Sequence, residues 1–433
     1  MGGLCLSAGP NASWAACQKR VIFERVDLGD RDGAKTSRPT MRPGTQPTMT
    51  RGRSILLAAT VPTLLGAGAP LGSQVPTASV ASPESAIRLL WSQYLNSRRG
   101  DFGGGISTPS PYWLSSEQQR WRSYDLASFY LPDNATPDVL TIEPDKGGAG
   151  EYRIVTRFTS ADENNAMRSR TVDMTTFAVR SGSGWALANA LPRLTRDWST
   201  KRVGPIEFVI QPGRTFDSDR AKRAATFVDS LAHALDVPVP EMTYYVTLSV
   251  DDVYRIIGLE TSKKWGAVGG VAQPINGLVF SGIPTLGENY RHELAHVVIA
   301  PLIGNTTYFV SEGVQTWLGG TSGMDLRAAE RTLSDFLRLH PSVTLDSILG
   351  RPFPVEQFYP AAAVFVAMAF ERGGTSALKA LFNSGSTLSD FQQSMERLFG
   401  IPWRSIAADW RARAAAGGDG HKSVEKGKPR IAM

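Results

Sequence analysis

The spacing of hydrophobic and polar positions changes period several times along the chain. From Ser82, SPESAIRLLWSQYLNSR places Ile87, Leu90, Trp91 and Tyr94 at helical spacing, behind a Ser-Pro start and with Glu84 in the first turn. That face predicts an amphipathic helix packed on a sheet. Strands for the sheet follow in DVLTIEP (138–144), EYRIVTRFTS (151–160), RTVDMTTFAVRS (170–181) and GWALANAL (184–191), divided by the turn-forming PDKGGAG and SGSG. A second series begins near residue 201. GPIEFVIQPG (204–213) reads as a strand, SDRAKRAATFVDSLAHAL (218–235) as an amphipathic helix capped by Ser218, and MTYYVTLSV (242–250) as a strand leading into SVDDVYRIIG. GENYRHELAHVVIAPLIG predicts a helix from about Glu288 to Ala300, stopped at Pro301. YFVSEGVQTWLGG (308–320) predicts another, with Ser311 as N-cap and Gly319-Gly320 at its end.

Helices and antiparallel strands in this order predict an α+β chain. The first series, a helix followed by a curved antiparallel sheet, resembles the nuclear-transport-factor-2-like (NTF2) or cystatin-like α+β class in element order. The expected organisation is an accessory α+β domain over 82–200 and a mainly helical domain with a small sheet over 201–415, with tails on either side.

Composition bounds what these elements do. The chain has 433 residues, 42% of them hydrophobic, enough for two cores. Its formal charge of +6 is carried by the ends. Residues 1–48 hold seven basic against four acidic side chains, Arg51 and Arg53 add two positive charges, and 411–433 hold six against two, which leaves the body slightly acidic. A nucleic-acid face is therefore not expected. Residues 1–48 lack sustained periodicity, and no fixed structure is expected of them. MTRGRSILLAATVPTLLGAGAP, from Met49, has the basic flank, short apolar stretch and small-residue end of a secretory signal peptide, so 49–81 is read as one, with translation starting near Met49 and a secreted or extracytoplasmic product. Cys5 and Cys17 both lie upstream, so a mature chain has no disulfide and no thiolate ligand. DFGGG (101–105) lacks the preceding strand and the Lys-Ser/Thr of a phosphate loop and is read as a turn. Residues 416–433 read as a basic tail; membrane or wall contact is expected only through it or the N-terminal segment.

The candidate chemistry lies in RHELAH. The chain has five histidines, and His292 and His296 flank Glu293 in an H-E-x-x-H pattern. On a helix the four-residue spacing stacks both imidazoles on one face, about 6 Å apart along the axis, where they can share an ion. Leu294, Val297 and Val298 point away and bury the helix. Two imidazoles leave a hydrolytic metal short of a third protein ligand. The predicted helix over 308–320 supplies a candidate in Glu312, although an acidic first turn is also what the helix dipole alone favours. His233 and His340 read as packing or surface residues.

H-E-x-x-H followed by a second helix bearing S-E-G resembles the gluzincin metallopeptidases, in particular the peptidase-MA-like group related to the aminopeptidase-N and thermolysin types. The resemblance spans roughly 201–412, through the strand-helix-strand run at 206–250, GGVAQPINGLVFS and FYPAAAVFVAMAFERGGTSALKALF. It implies a zincin-like fold, a peptide or protein substrate, zinc on His292, His296 and Glu312, and Glu293 as general base. It also implies a downstream oxyanion donor, for which Tyr359 is the first choice and Tyr308 the second. The related aminopeptidases carry an acidic Gly-x-Met-Glu-Asn stretch that holds a free amine. GGVAQPING (269–277) has no carboxylate there, so endopeptidase action or a specialised substrate is expected. A zinc-containing binding protein without hydrolytic activity and a metal-free structural protein are the alternatives.

Overall fold

A computed structural model describes residues 82–98, 108–131, 135–148, 150–160, 170–261, 269–321, 324–350 and 355–417. The segments 1–48 and 49–81, the DFGGG turn and the tail from 418 lie outside the described residues, and so do the readings made on them. Pro83 onward, the described residues cluster into one unit. The architecture is mixed, with two five-stranded sheets and twelve helices among the described residues, as an α+β class requires.

Helix α1 (Pro83–Ser97) buries Ile87, Trp91, Tyr94 and Leu95 against the first sheet. A short α2 (Ser115–Arg120) precedes strands β1 (Thr136–Pro144), β2 (Tyr152–Ser160), β3 (Arg170–Ser181) and β4 (Gly184–Ala188), which form an antiparallel meander. Gly182, at φ 59°, takes the left-handed conformation that the two-residue β3–β4 turn needs. GWALANAL does not stay extended to its end: α3 (Ala190–Leu194) begins after Asn189, whose side chain is bonded to Glu117 and to the Tyr124 carbonyl.

The second sheet runs β5 (Ser199–Val203), β6 (Ile206–Ile210), β7 (Met242–Val246), β10 (Leu278–Ser281), β9 (Gly270–Gln273) in spatial order. Its middle pairs, β6 with β7 and β7 with β10, are parallel, and its outer pairs are antiparallel. The β6–β7 crossover is α4 (Ser218–Leu235), whose apolar face packs on the sheet. Its N-cap is Asp217 rather than Ser218, because the Asp217 carboxylate accepts from the Asp219 and Arg220 amides. Helix α5 (Val250–Ile256), capped by Ser249, leads into β8 (Leu259–Thr261).

Strand β8 does not join the second sheet. β3 is twelve residues long, and β4 pairs only with Phe177 to Ser181, so β8 takes the vacant stretch at Val172 to Met174. Residues downstream of 201 thus complete the first sheet. Alternation along β6, β7 and β10 divides the second sheet between two cores. Ile206, Phe208, Tyr244, Val246 and Val279 face α4 and the helices beyond it. Val209, Tyr245, Leu278 and Phe280 face the core that also contains Trp91, Leu126, Tyr130 and Ile154 of the first half. The second sheet is the wall common to both.

The rest is helical: α6 (Arg291–Ile299), α7 (Tyr308–Gly319), α8 (Leu326–Leu339), α9 (Leu345–Leu349), α10 (Val355–Leu381), α11 (Leu388–Phe399) and α12 (Trp403–Ala416). Two glycines bring these helices close. A Cβ at Gly313 would stand 2.9 Å from the Ala362 backbone on α10, and one at Gly319 would stand 2.4 Å from the His292 amide nitrogen on α6. Among the described residues no helix is long and apolar enough to cross a membrane.

Candidate metal centre

Helix α6 starts at Arg291, three residues later than the expected Glu288, because the chain before it forms turns and Glu288 is drawn elsewhere. The Leu286 and Gly287 amides bond back to Ile283, and the Glu288 carboxylate accepts from the Asp217 amide at 3.1 Å. Every residue of α6 after Arg291 is buried, including Leu294, Val297 and Val298, which pack into the core as their spacing predicts. The apolar side anchors the helix, and the histidine side is turned into the protein.

α7 begins earlier than expected. Thr307, not Ser311, is its N-cap, accepting from the Val310 amide, and Ser311 and Glu312 lie within the helix. This shift decides how Glu312 should be understood. It is the fifth residue of α7, beyond the first turn where the dipole alone would favour an acid. It is also only 3% exposed, a costly place for a carboxylate without cationic partners.

The fold brings His292, His296 and Glu312 together. One donor atom from each lies within 4.8 Å of the others, and all three residues are buried. The Glu312 Oε2 is 3.3 Å from His292 Nε2, and its Oε1 is 3.7 Å from His296 Nε2. The group could hold a metal ion.

Two further residues orient the imidazoles. His292 Nδ1 lies 2.9 Å from the Gly320 carbonyl, which fixes the proton on Nδ1 and leaves the Nε2 lone pair facing the cluster. His296 Nδ1 lies 3.0 Å from Gln315 Nε2, while the buried Gln315 Oε1 has no hydrogen-bond partner among the described residues. The same tautomer of His296 follows when that amide turns its oxygen to the ring. Without a cation, burial disfavours a charged His292, but hydrogen bonding to Glu312 and the charges of Glu293 and Glu312 outweigh it and raise the pKa. An incoming cation therefore competes with a proton for Nε2. We expect Gln315→Ala to leave the fold intact and weaken metal binding about 10- to 100-fold, the usual cost of losing a partner behind a ligand; competition with a chelator measures this.

Comparison with known families and proteins gives no identification. No family model matches the chain, and no curated protein matches it.

Glu293 is buried between the two histidines but is not one of the clustered ligand groups. Its charge reaches across the site. Tyr130 is pushed well above the ordinary phenol range by burial, with the Glu293 charge among the lesser causes, and the same holds for Tyr244. Tyr130 comes from the first half of the chain, and its hydroxyl accepts from Gln273 of β9 at 3.2 Å. Nothing in the sequence around Tyr130 marks it, because only the packing of 121–131 against β9 brings it here. Gln315 did carry a signal, since it lies one turn after Glu312 on the predicted helix.

Tyr359, on the second turn of α10, is 4% exposed and stacks on His292 with ring centres 5.6 Å apart and planes at 16°. Tyr308 is half-buried at the start of α7, and the two hydroxyls are 2.8 Å apart. Both candidate donors are thus at the site. His233 and His340 are exposed and on other elements, α4 and the C-terminal end of α8.

Proposed function

We propose that this chain is a secreted zinc-dependent metallopeptidase of the gluzincin type. The observation that carries the reading is the burial of His292, His296 and Glu312 in one cluster, with Glu293 held on the same helix as the histidines. The donor set suits zinc, which takes imidazole and carboxylate ligands at about 2.0–2.2 Å in a tetrahedron. Donors at that radius stand about 3.4 Å apart, beside the 3.3 and 3.7 Å separating Glu312 from the two imidazoles. In this reading the second sheet and the helices after it make a zincin-like domain, and α1 with the first sheet makes an NTF2- or cystatin-like one. Its placement outside the cytoplasm rests on the signal-peptide reading of 49–81.

A zinc ion held by His292, His296 and Glu312 would supply a Lewis acid for a peptide carbonyl and would make a water acidic enough to lose its proton near neutral pH. The Glu293 carboxylate accepts that proton and returns it to the leaving amine. The hydroxyl of Tyr359 donates to the carbonyl oxygen as negative charge develops. Strand β9 closes the sheet beside α6. No carboxylate stands in 269–277 to hold a free amine, which favours cleavage within chains.

The test is zinc stoichiometry of the purified protein followed by incubation with a diverse peptide mixture read by mass spectrometry. One equivalent of zinc with new cleavage products, both lost on chelation and restored by zinc, is expected. Bound zinc without cleavage would replace this reading by that of a zinc-containing binding protein, and no zinc would end both.

A further inference from the structure

The two tyrosines at the site were alternatives in the sequence; the geometry makes them parts of one device. We infer that Tyr308 is a positioning residue that holds the Tyr359 hydroxyl with its proton directed at the reacting carbonyl oxygen, an inference that rests on the peptidase reading.

Four observations carry it. The Tyr308 and Tyr359 oxygens are 2.8 Å apart, an O–H···O hydrogen bond. The Tyr359 ring lies parallel against His292, which restricts its rotation and holds it beside one imidazole of the cluster. Tyr359 is almost wholly buried, whereas Tyr308 is half-buried, so the pair runs outward from the cluster. Tyr308 is itself held, by stacking on Phe358 with ring centres 5.6 Å apart and planes at 22°, and by its place one turn before Glu312 on α7.

A phenol has one proton to donate. Only one of the two protons can lie between the oxygens, which leaves two arrangements. If Tyr359 donates to Tyr308, a lone pair of Tyr359 faces the site and repels an oxyanion. If Tyr308 donates to Tyr359, the Tyr359 proton is directed inward and stabilises the oxyanion. The charge that develops during hydrolysis selects the second, and each hydrogen bond in the chain then strengthens the other. Tyr308 touches neither substrate nor ion in this scheme; it acts through Tyr359.

The experiment compares Tyr308→Phe, Tyr359→Phe and the double variant in the zinc-loaded full chain. The readouts are kcat and KM for a peptide that the parent cleaves, and the affinity for a phosphinic peptide whose tetrahedral anion copies the developing charge. Tyr359→Phe is expected to lower kcat about 100-fold, as loss of a direct oxyanion donor does. Tyr308→Phe keeps the ring that stacks on Phe358 and is expected to lower kcat and phosphinic-peptide affinity about tenfold, a fraction of the cost of a direct donor. KM and zinc content should stay at the parent values, and the double variant should match Tyr359→Phe alone. A Tyr308→Phe variant equal to the parent, a loss confined to KM, or losses that multiply in the double variant would overturn the inference while the peptidase reading stands. A zinc-loaded parent that neither cleaves peptides nor binds the phosphinic peptide would remove both together.

Discussion

Replacing Glu293 by Gln is expected to abolish peptide hydrolysis while leaving the metal in place. Gln keeps the shape and the hydrogen-bonding oxygen of Glu but cannot take a proton at neutral pH, and losing a general base costs about 100- to 10,000-fold in rate. The three clustered ligand groups do not include Glu293, so one equivalent of metal should remain. The fold should also survive, because at 6% exposure an amide is easier to bury than a carboxylate. Mass-spectrometric turnover beside elemental analysis of the same sample checks both halves. Parental turnover in the variant would remove Glu293 from the chemistry; loss of the metal would make it a ligand rather than a base.

The second large effect is structural. A chain cut to residues 199–417, the half that carries the candidate metal centre, is expected neither to fold nor to hold the metal. One face of its sheet, with Val209, Tyr245, Leu278 and Phe280, would lose the core it shares with the first half. Burial of a large apolar side chain is worth roughly 1.5–3 kcal/mol. Four such side chains together approach about 10 kcal/mol, which is on the scale of the stability of a whole domain. Polar groups would also be stranded. The Asn276 amide pairs with both the N–H and the carbonyl of Ser123, and Gln273 donates to the Leu126 carbonyl. β8 would have no strand to pair with, since its partner is β3. Near-ultraviolet circular dichroism and denaturant unfolding of the fragment test this. A cooperative transition with one equivalent of metal bound would show that the second half stands alone.

Sequence periodicity made most elements legible because it reports which side of an element is buried. Ile87, Trp91 and Tyr94 showed the inner face of α1, and the turn-forming PDKGGAG before 151–160 set off β2 as a strand. Caps were less legible. Asp217 and Ser218, or Thr307 and Ser311, are all competent cap residues, and which one serves depends on where the preceding chain leaves the helix. For α7 that choice moved Glu312 out of the first turn and removed the dipole explanation of its presence.

What the sequence determined by itself was local. The H-E-x-x-H spacing places His292 and His296 one turn apart on any α-helix, and the apolar residues between and after them require that helix to be buried on its other side. Glu312 could be nominated because it lies on the next predicted helix, over 308–320. Tertiary structure alone decided that His292 finds its orienting carbonyl at Gly320, that Tyr359 and Tyr308 share a hydrogen bond, and that Tyr130 and Gln273 meet beside the site. It also decided that β8 crosses into the first sheet. These pairings join residues 28, 51 and 143 positions apart. Spacing along one element controls direction within that element, whereas contacts of this kind depend on how separate elements pack, and the packing is set by the burial of both faces of the second sheet at once.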